Sequence, residues 1–161
     1  MNVASLAPLW QVEVSGPVSS TPVIVDGVAQ VGSYDGNLYA IGLATGAPVW
    51  TYATGAGVLE SNPPIPLGIT GSGAVDANAV YVGDAAASLH ALDRATGAAF
   101  WTRKLDDLPN ASIGSSPVVV NGVIYIGGIH RQGDRLPRER RGGRPGVRRA
   151  ELADLHGAGG G

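Results

Sequence analysis

Short apolar runs separated by turn residues recur along the first 128 residues of the chain. The β-branched runs Val23–Val25 and Val118–Val120 are each followed at once by a two-residue turn and a second apolar run. Runs of this length between Gly, Asn and Asp residues are typical of β-strands that are joined by tight hairpins. The pattern therefore predicts an all-β fold made of short antiparallel strands.

The same pattern repeats at a nearly fixed spacing. The glycines Gly32, Gly83 and Gly127 lie 51 and 44 residues apart. A second pair of stretches, Ala40–Trp50 and Ala91–Trp101, matches in the same way. Units of about 40–50 residues with several short strands are typical of the blades of a β-propeller. Three stretches align without gaps: TPVIVDGVAQVGS from Thr21, SGAVDANAVYVGD from Ser72 and SPVVVNGVIYIGG from Ser116.

Each repeat is predicted to form one blade of four antiparallel strands, so the chain is a partial β-propeller of about two and a half blades. The outer strand of a preceding blade is predicted over 8–14, and two blades are predicted over 18–54 and 60–105. A half blade covers 111–128, and an irregular C-terminal tail covers 129–161. A blade cannot bury both of its faces alone. We therefore expect the remaining blades of a longer propeller, or self-association, to cover the exposed blade faces.

Turn residues and tryptophans recur at equivalent places, and each has a structural explanation. A hairpin that needs positive φ accepts Gly freely and tolerates Asn. A tryptophan that ends an outer strand can pack against the adjacent blade. We therefore assign structural roles in turns and blade docking to these residues: Gly27, Asn78, Gly122, Thr45, Gly46, Thr96, Gly97, Trp50 and Trp101.

Composition agrees with this fold and removes several kinds of site. The 25 glycines and 11 prolines argue against a helical bundle, and the absence of cysteine excludes thiolate metal sites and cysteine nucleophiles. His90 lies in a predicted strand at the position of Tyr39 in the first repeat, so we assign it to blade packing. The pairs Asp106-Asp107 and Ser115-Ser116 lack the partners that acid–base or nucleophilic catalysis needs. No catalytic or metal-binding residue is predicted.

The motif A-x-x-x-x-T-G-x-x-x-W, at Ala40–Trp50 and Ala91–Trp101, resembles the tryptophan-docking motif of quinoprotein propellers. The stretch FWTRKLDDLPNASIGSSPVVVNG, residues 100–122, is similar to the polyvinyl-alcohol-dehydrogenase-like branch of that family. The resemblance implies a periplasmic or extracellular location and a ring of about seven or eight blades. For a full-length parent it also implies pyrroloquinoline quinone (PQQ) with calcium as cofactor.

The resemblance leaves two functions open. One is a binding scaffold in a larger extracytoplasmic propeller protein, and the other is part of a PQQ-dependent alcohol dehydrogenase of the polyvinyl-alcohol type. Such quinoproteins often carry a vicinal disulfide, which a chain without cysteine cannot form. No acid of this chain falls in a motif that matches the family's general base or calcium ligands. We therefore expect the chain to be non-catalytic by itself and assign no cofactor to it.

The tail differs sharply from the rest of the chain in charge. Residues 1–130 hold nine acids and three bases, whereas residues 131–161 hold eight arginines and four acids. Three explanations stay open: an arginine-rich arm that contacts nucleic-acid phosphates, an inert disordered tail, or a blade translated in a shifted reading frame. We favour the shifted frame because the change begins in the middle of the third repeat, and nucleic acid is the least favoured partner.

Targeting signals are not evident in the sequence. No run approaches the roughly 18 apolar residues that a membrane-spanning helix requires. The N-terminal MNVASLAPLW lacks the basic region and the long apolar region of a secretory signal peptide. We therefore predict neither a membrane span nor a signal peptide in this chain.

Overall fold

A computed structural model describes residues 7–59, 63–108, 111–128 and 147–151. These residues contain strands and no helix, which confirms the predicted all-β class. Within them, no helix is long and apolar enough to cross a membrane. The strands are β1 (Val23–Val25), β2 (Val28–Gly32), β3 (Asn37–Gly42), β4 (Pro48–Ala53), β5 (Val58–Leu59), β6 (Ile65–Pro66), β7 (Ala74–Val75), β8 (Ala79–Gly83), β9 (Ser88–Asp93), β10 (Ala99–Lys104), β11 (Val118–Val120), β12 (Val123–Gly127) and β13 (Val147–Glu151).

Two four-stranded sheets and one three-stranded sheet make up three blades. Blade 1 has the strand order β1-β2-β3-β4, blade 2 has β7-β8-β9-β10, and blade 3 has β11-β12-β13. All pairs within these sheets are antiparallel neighbours in sequence, so each blade is a meander. Strands β5 and β6 form a separate hairpin between blades 1 and 2, which the sequence pattern did not predict.

The hairpin turns of blades 1 and 3 have the left-handed geometry that their sequences predict. Asp26 and Gly27 have φ values of 48° and 75°, and Asn121 and Gly122 have φ values of 50° and 74°. Positive φ at both central residues is the requirement of a type I′ turn, whose twist matches that of the two strands it joins. Glycine meets this requirement without a steric penalty.

The corresponding turn of blade 2 has another geometry, and the prediction that Asn78 stands in for a left-handed Gly is wrong. Asn78 does not have a positive φ, and Val75 pairs with Val80, so four residues lie between the paired positions. Asp76 closes this loop because its Oδ1 accepts hydrogen bonds from the N–H groups of Asn78 (2.9 Å) and Ala79 (2.8 Å). A turn closed by an Asp side chain in this way needs no positive φ at Asn78.

The two ends of the described chain differ from the predicted organisation. Residues 8–14, predicted as an outer strand, belong to no strand, since no described strand lies beside them to share hydrogen bonds. Val147–Glu151 pairs with β12, with Val147 opposite Gly127, so blade 3 has one strand more than the predicted half blade. Residues 129–146 and 152–161 lie outside the described residues, and the explanations of the tail stay predictions.

The hydrophobic core consists of two clusters, each shared by two neighbouring blades. Because side chains alternate between the faces of a strand, β9 contributes Leu92 to one cluster and Leu89 to the other. Blade 2 is therefore buried on both faces. The cluster between blades 1 and 2 contains Leu38, Ala40, Trp50, Ile69, Val80, Val82 and Leu92. The cluster between blades 2 and 3 contains Ala79, Tyr81, Ala87, Leu89, Ala91, Ala111, Ile113, Ile124 and Ile126.

Candidate functional site

The junction between blades 1 and 2 brings together two of the residues that the sequence singled out. Trp50 Nε1, on β4 of blade 1, donates a hydrogen bond of 3.0 Å to Arg94 O in blade 2. The indole lies over Gly97, where an added Cβ would come within 2.7 Å of the ring. Gly97 also has a φ of 74°. The contact and the backbone conformation therefore both require glycine at this position.

Trp10 makes the same kind of contact with blade 1. Its Nε1 donates a hydrogen bond of 2.7 Å to Leu43 O. Gly46, with a φ of 73°, lies against the ring, and an added Cβ would come within 2.8 Å of it. Leu43 and Gly46 hold the repeat positions of Arg94 and Gly97. The segment around Trp10 thus occupies at blade 1 the place that the tryptophan of blade 1 occupies at blade 2.

The threonines of the Thr-Gly turns bond to the backbone of their own turns. Thr45 Oγ1 accepts a hydrogen bond from Ala47 N (3.2 Å), and Thr96 Oγ1 accepts one from Ala98 N (3.3 Å). In blade 2, Asp93 Oδ1 also accepts hydrogen bonds from the hydroxyl (2.8 Å) and the N–H (2.7 Å) of Thr96. These bonds to Thr96 lower the pKa of the exposed Asp93 carboxyl.

Other predicted structural residues lie apart from these contacts. Gly27 and Gly122 are at hairpin tips, where an added Cβ would have no atom within 4 Å. The ring of Trp101 lies near Tyr81 of its own blade, with 6.2 Å between the ring centroids. The docking role assigned to Trp101 therefore stays a prediction.

Both junctions contain a second contact, which the sequence analysis did not identify. Ile69 packs on Gly32 of blade 1, and Ile113 packs on Gly83 of blade 2. A Cβ on Gly32 would lie 3.0 Å from Ile69 Cβ, and one on Gly83 would lie 2.7 Å from Ile113 Cβ. We call each glycine position that receives a side chain from the next blade a socket. A signal was present, since Ile69 and Ile113 have the 44-residue spacing that separates Gly83 from Gly127.

The same two isoleucines also join the backbones of neighbouring blades. Ile69 N donates a hydrogen bond to Ser33 O, and Ile113 N donates one to Asp84 O, both at 2.9 Å. Ser33 and Asp84 directly follow the two socket glycines in sequence. Each socket is therefore fixed by one apolar contact and one backbone hydrogen bond.

The first strands of the blades are connected through hydroxyl groups. Thr21 N donates a hydrogen bond of 2.8 Å to Ser72 Oγ, and Ser72 N donates one of 3.0 Å to Ser116 Oγ. Thr21, Ser72 and Ser116 hold the same position of the repeat. Each junction thus has a third contact, in which an N–H group of one blade reaches a hydroxyl of the next.

Within blades 1 and 3, a serine hydroxyl links the approach to the first strand with the second strand. Ser20 Oγ bonds to both the O and the N of Gly32, each at 2.9 Å. Ser115 Oγ bonds to the O (2.7 Å) and the N (3.0 Å) of Gly127. Blade 2 has Gly71 at this position, where an added Cβ would lie 2.5 Å from Ser115 O. Blade 3 therefore occupies the space that a side chain at Gly71 would need.

A buried polar cluster lies at the junction between blades 1 and 2. His90 Nε2 is 2.9 Å from Asp84 Oδ2, and these two side chains are only 3% and 2% exposed. The opposite ring atom, His90 Nδ1, is 3.1 Å from the hydroxyl of Tyr52 in blade 1 and 3.0 Å from Thr102 Oγ1. The other oxygen of Asp84 accepts two backbone hydrogen bonds, of 2.9 and 2.8 Å, from the turn that follows it.

An acid, an imidazole and a hydroxyl in series can perform proton transfer when a reactant reaches the hydroxyl. Here the carboxylate and the imidazole are buried between blades, so the arrangement positions side chains and does not present them. The burial of His90 confirms its predicted place in blade packing. Asp84 was not identified from the sequence, because its repeat equivalent, Ser33, is not an acid.

Gln30 is a buried residue of the same junction whose polar atoms are not satisfied. Neither its Nε2 nor its Oε1 has a hydrogen-bond partner among the described residues. Tyr81 holds the same position in blade 2, and its hydroxyl donates a hydrogen bond of 2.9 Å to Asp76 Oδ2. Burial, and then the Asp76 carboxylate, raise the pKa of Tyr81. Blade 1 has Val25 at the position of Asp76, so Gln30 lacks this acid.

The described residues do not fit a calcium or quinone site. They contain no group of three or more His, Asp or Glu side chains that could hold a metal ion. A calcium ion takes six to eight oxygen ligands, whereas the oxygens of Asp35, Asp76 and Asp84 accept hydrogen bonds in separate turns. Burial raises the pKa of Asp35 and Asp76, but their hydrogen bonds outweigh it and lower both.

An open apolar cleft lies at the surface beside the Trp10 contact. It has a volume of about 300 Å³ and is lined by Leu9, Trp10 and Leu43. None of these three side chains can take part in acid–base chemistry or bind a metal ion. The cleft is therefore a feature of the blade surface and does not provide a catalytic centre.

Known proteins similar to this chain fall into two groups. A family model described as outer membrane protein assembly factor BamB matches residues 2–147. Quinoprotein alcohol dehydrogenase PedH of Pseudomonas putida is 32% identical over 132 residues, and outer membrane protein assembly factor BamB of Shewanella oneidensis is 26% identical over 151 residues. These alignments cover 78% and 89% of this chain but only 22% and 36% of the two relatives.

The solved structures confirm the predicted partial β-propeller. The crystal structure of BamB from Moraxella catarrhalis is similar to this chain with a TM-score of 0.59 and 29% identity. The similarity covers 75% of this chain and 36% of that one. The chain therefore spans about a third or less of the relatives described above.

Proposed function

Because this chain belongs to the PQQ-like β-propeller family described as outer membrane protein assembly factor BamB, we propose that it is a non-catalytic part of a binding scaffold. The scaffold is a larger extracytoplasmic propeller protein, of which these blades form one sector. The observation that carries the proposal is how the buried polar groups are used. Asp84, His90 and Tyr81 all bond to other protein groups between or within blades. A catalytic acid or base must instead meet a reactant.

Partners and location follow from the same argument. A sector of a propeller leaves blade faces that further blades or a second chain must cover. The tryptophans and Thr-Gly turns, with Trp50 on Gly97 as the clearest contact, would dock neighbouring blades to one another. An extracytoplasmic location is supported by the name of the matching family, which refers to assembly at the outer membrane.

The alternative is part of a PQQ-dependent alcohol dehydrogenase, with PQQ and calcium bound by the full-length parent. The 32% identity to PedH favours this alternative, but the match covers only 22% of that enzyme. The polyvinyl-alcohol-dehydrogenase-like branch remains a more detailed form of the same alternative. Against it stands the absence of a calcium-binding group among the described residues.

The two functions are separated by adding PQQ and Ca²⁺ to the purified chain while its melting temperature and visible absorbance are measured. We expect no change in either, because the described acids accept hydrogen bonds within their own turns. A ligand at a hundred times its Kd would add about 2.7 kcal/mol to the stability, which is several degrees in a domain of this size. A quinoprotein alcohol dehydrogenase depleted of cofactor serves as the positive control. A rise in melting temperature that a calcium chelator reverses would favour the dehydrogenase.

A further inference from the structure

The outward face of blade 3 presents a socket to which no other blade contributes. Gly127 holds the repeat position of Gly32 and Gly83, but an added Cβ would meet only Ser115 of its own blade, at 3.4 Å. Tyr125, on the same face of β12, is 38% exposed, whereas its repeat equivalent Tyr81 is 2% exposed. The described residues therefore include a third junction surface of which only one side is present.

The opposite end of the described blades carries the matching side. Val18 lies 51 residues before Ile69, so it holds the repeat position of Ile69 and Ile113, the two side chains that fill sockets. It is 46% exposed, because no blade precedes it in the described chain. Val18 is also β-branched and close in size to isoleucine, which suits it to a position that has the same shape.

The backbone and hydroxyl contacts of a junction are also divided between the two ends. Following the two observed junctions, Val18 N corresponds to the donor and Gly128 O to the acceptor of the backbone hydrogen bond. Among the described residues, no hydrogen bond reaches either atom. Ser116 N and Thr21 Oγ1 correspond in the same way to the bond between first strands. Both halves of a complete junction are therefore present on one chain.

We infer that two copies of this chain associate head to tail, with Val18 of each copy in the Gly127 socket of the other. The same contact formed twice closes a ring with two-fold symmetry. Two copies supply six blades, within the range of about four to eight that closed propellers use, whereas three copies would supply nine. The inference rests on the proposed function only in that the chain acts as a propeller sector.

The test is the molar mass of the purified chain in solution, measured by light scattering after gel filtration over a range of concentrations. We expect twice the chain mass of 16.3 kDa. Gly127→Val fills the socket, yet within its own blade an added Cβ has only ordinary contacts. It should raise the dimer dissociation constant by at least about tenfold. Gly42→Ala, whose added Cβ would have nothing closer than 3.5 Å, is the matched glycine control and should stay dimeric.

A reversed pair makes the test independent of any folding defect in the single variant. The double variant Gly127→Val/Val18→Gly moves the large side chain to the socket and the small residue to the opposite side, so it should restore dimers. A monomeric wild type, an unchanged dimer in Gly127→Val, or an open series of larger masses would overturn the inference. These measurements contain no PQQ or Ca²⁺, so a positive cofactor shift would overturn the scaffold proposal and leave the dimer standing. A monomer would do the opposite.

Discussion

The junction between blades 1 and 2 and the junction between blades 2 and 3 share their apolar contact but differ in their buried polar groups. Each places an isoleucine in a glycine socket and adds a backbone hydrogen bond of 2.9 Å. The first junction then buries an Asp84–His90 pair and an unsatisfied Gln30, whereas the second buries Tyr81, whose hydroxyl bonds to Asp76. The repeat thus fixes the socket and leaves the polar positions free to vary.

This difference has an energetic meaning. A buried polar group that is paired contributes modestly to stability, but the same group without a partner costs about 1–3 kcal/mol. The first junction contains both cases, and the second contains only the paired case among the positions compared. Polar side chains therefore make the two junctions unequal in stability although their apolar contacts are alike.

The largest effect should come from breaking the buried pair of the first junction. Asp84→Ala leaves His90 and two backbone N–H groups without their acceptor, so we expect a loss of about 3–5 kcal/mol in the free energy of unfolding. Asp107→Ala, which removes an exposed acid, is the control and should change stability by less than about 0.5 kcal/mol. Urea unfolding followed by circular dichroism measures both. Equal effects of the two variants would contradict the role given to Asp84.

A smaller loss should follow from filling a socket. Gly83→Ala adds a Cβ that overlaps Ile113, and we expect about 1–3 kcal/mol of destabilisation from overpacking. Gly73→Ala is the control, because its added Cβ would have no contact shorter than 3.4 Å. The double variant Gly83→Ala/Ile113→Ala should be more stable than the sum of the two single effects predicts. Strict additivity in this double-mutant cycle would show that the two residues are not coupled.

Exchanging the polar residue at the shared position should change stability in opposite directions at the two junctions. Gln30→Leu removes two unsatisfied buried atoms, so we expect a gain of about 1 kcal/mol. Tyr81→Phe removes a satisfied hydroxyl from Asp76, so we expect a loss of about 1 kcal/mol. Thermal and urea unfolding of both variants check the signs. A loss for Gln30→Leu would mean that the amide has a partner in solution.

The smallest effect concerns acid pH. Because the pKa values of Asp35, Asp76 and Asp93 are lowered in the folded state, the unfolded chain binds more protons between the folded and unfolded pKa values. Their contribution is complete above the unfolded pKa of about 3.9 and is lost as the pH falls through the folded pKa values. The melting temperature should therefore fall between about pH 5 and pH 2. Asp76→Asn should fall less steeply, and an identical slope would contradict the assignment.

The strands could be predicted from the sequence because turn residues mark their ends. Strands β8 (Ala79–Gly83) and β12 (Val123–Gly127) begin and end where the repeats predict. The turn at Asn78 was predicted wrongly, since an Asp side chain two residues earlier closes it. In that case a side-chain hydrogen bond determined the turn in place of a backbone preference.

The contacts between blades were harder to predict because they join residues of different repeats. Ile69 meets Gly32, and the Tyr52 hydroxyl meets His90, only after the sheets have stacked face to face. The aligned repeats show which positions are equivalent, but they do not show which position of one blade faces which position of the next. Gln30 illustrates the limit, because its lack of a partner depends on Val25, a residue that looks unremarkable in a strand.

The glycine at position 71 limits how freely the blades could be exchanged by recombination. An average of the three repeats would place serine there, as in blades 1 and 3, and would gain a hydroxyl link within blade 2. That serine would instead meet the Ser115 carbonyl of the following blade. The repeats are therefore not interchangeable modules, and a duplicated copy of blade 1 could replace blade 2 only together with a change in its neighbour.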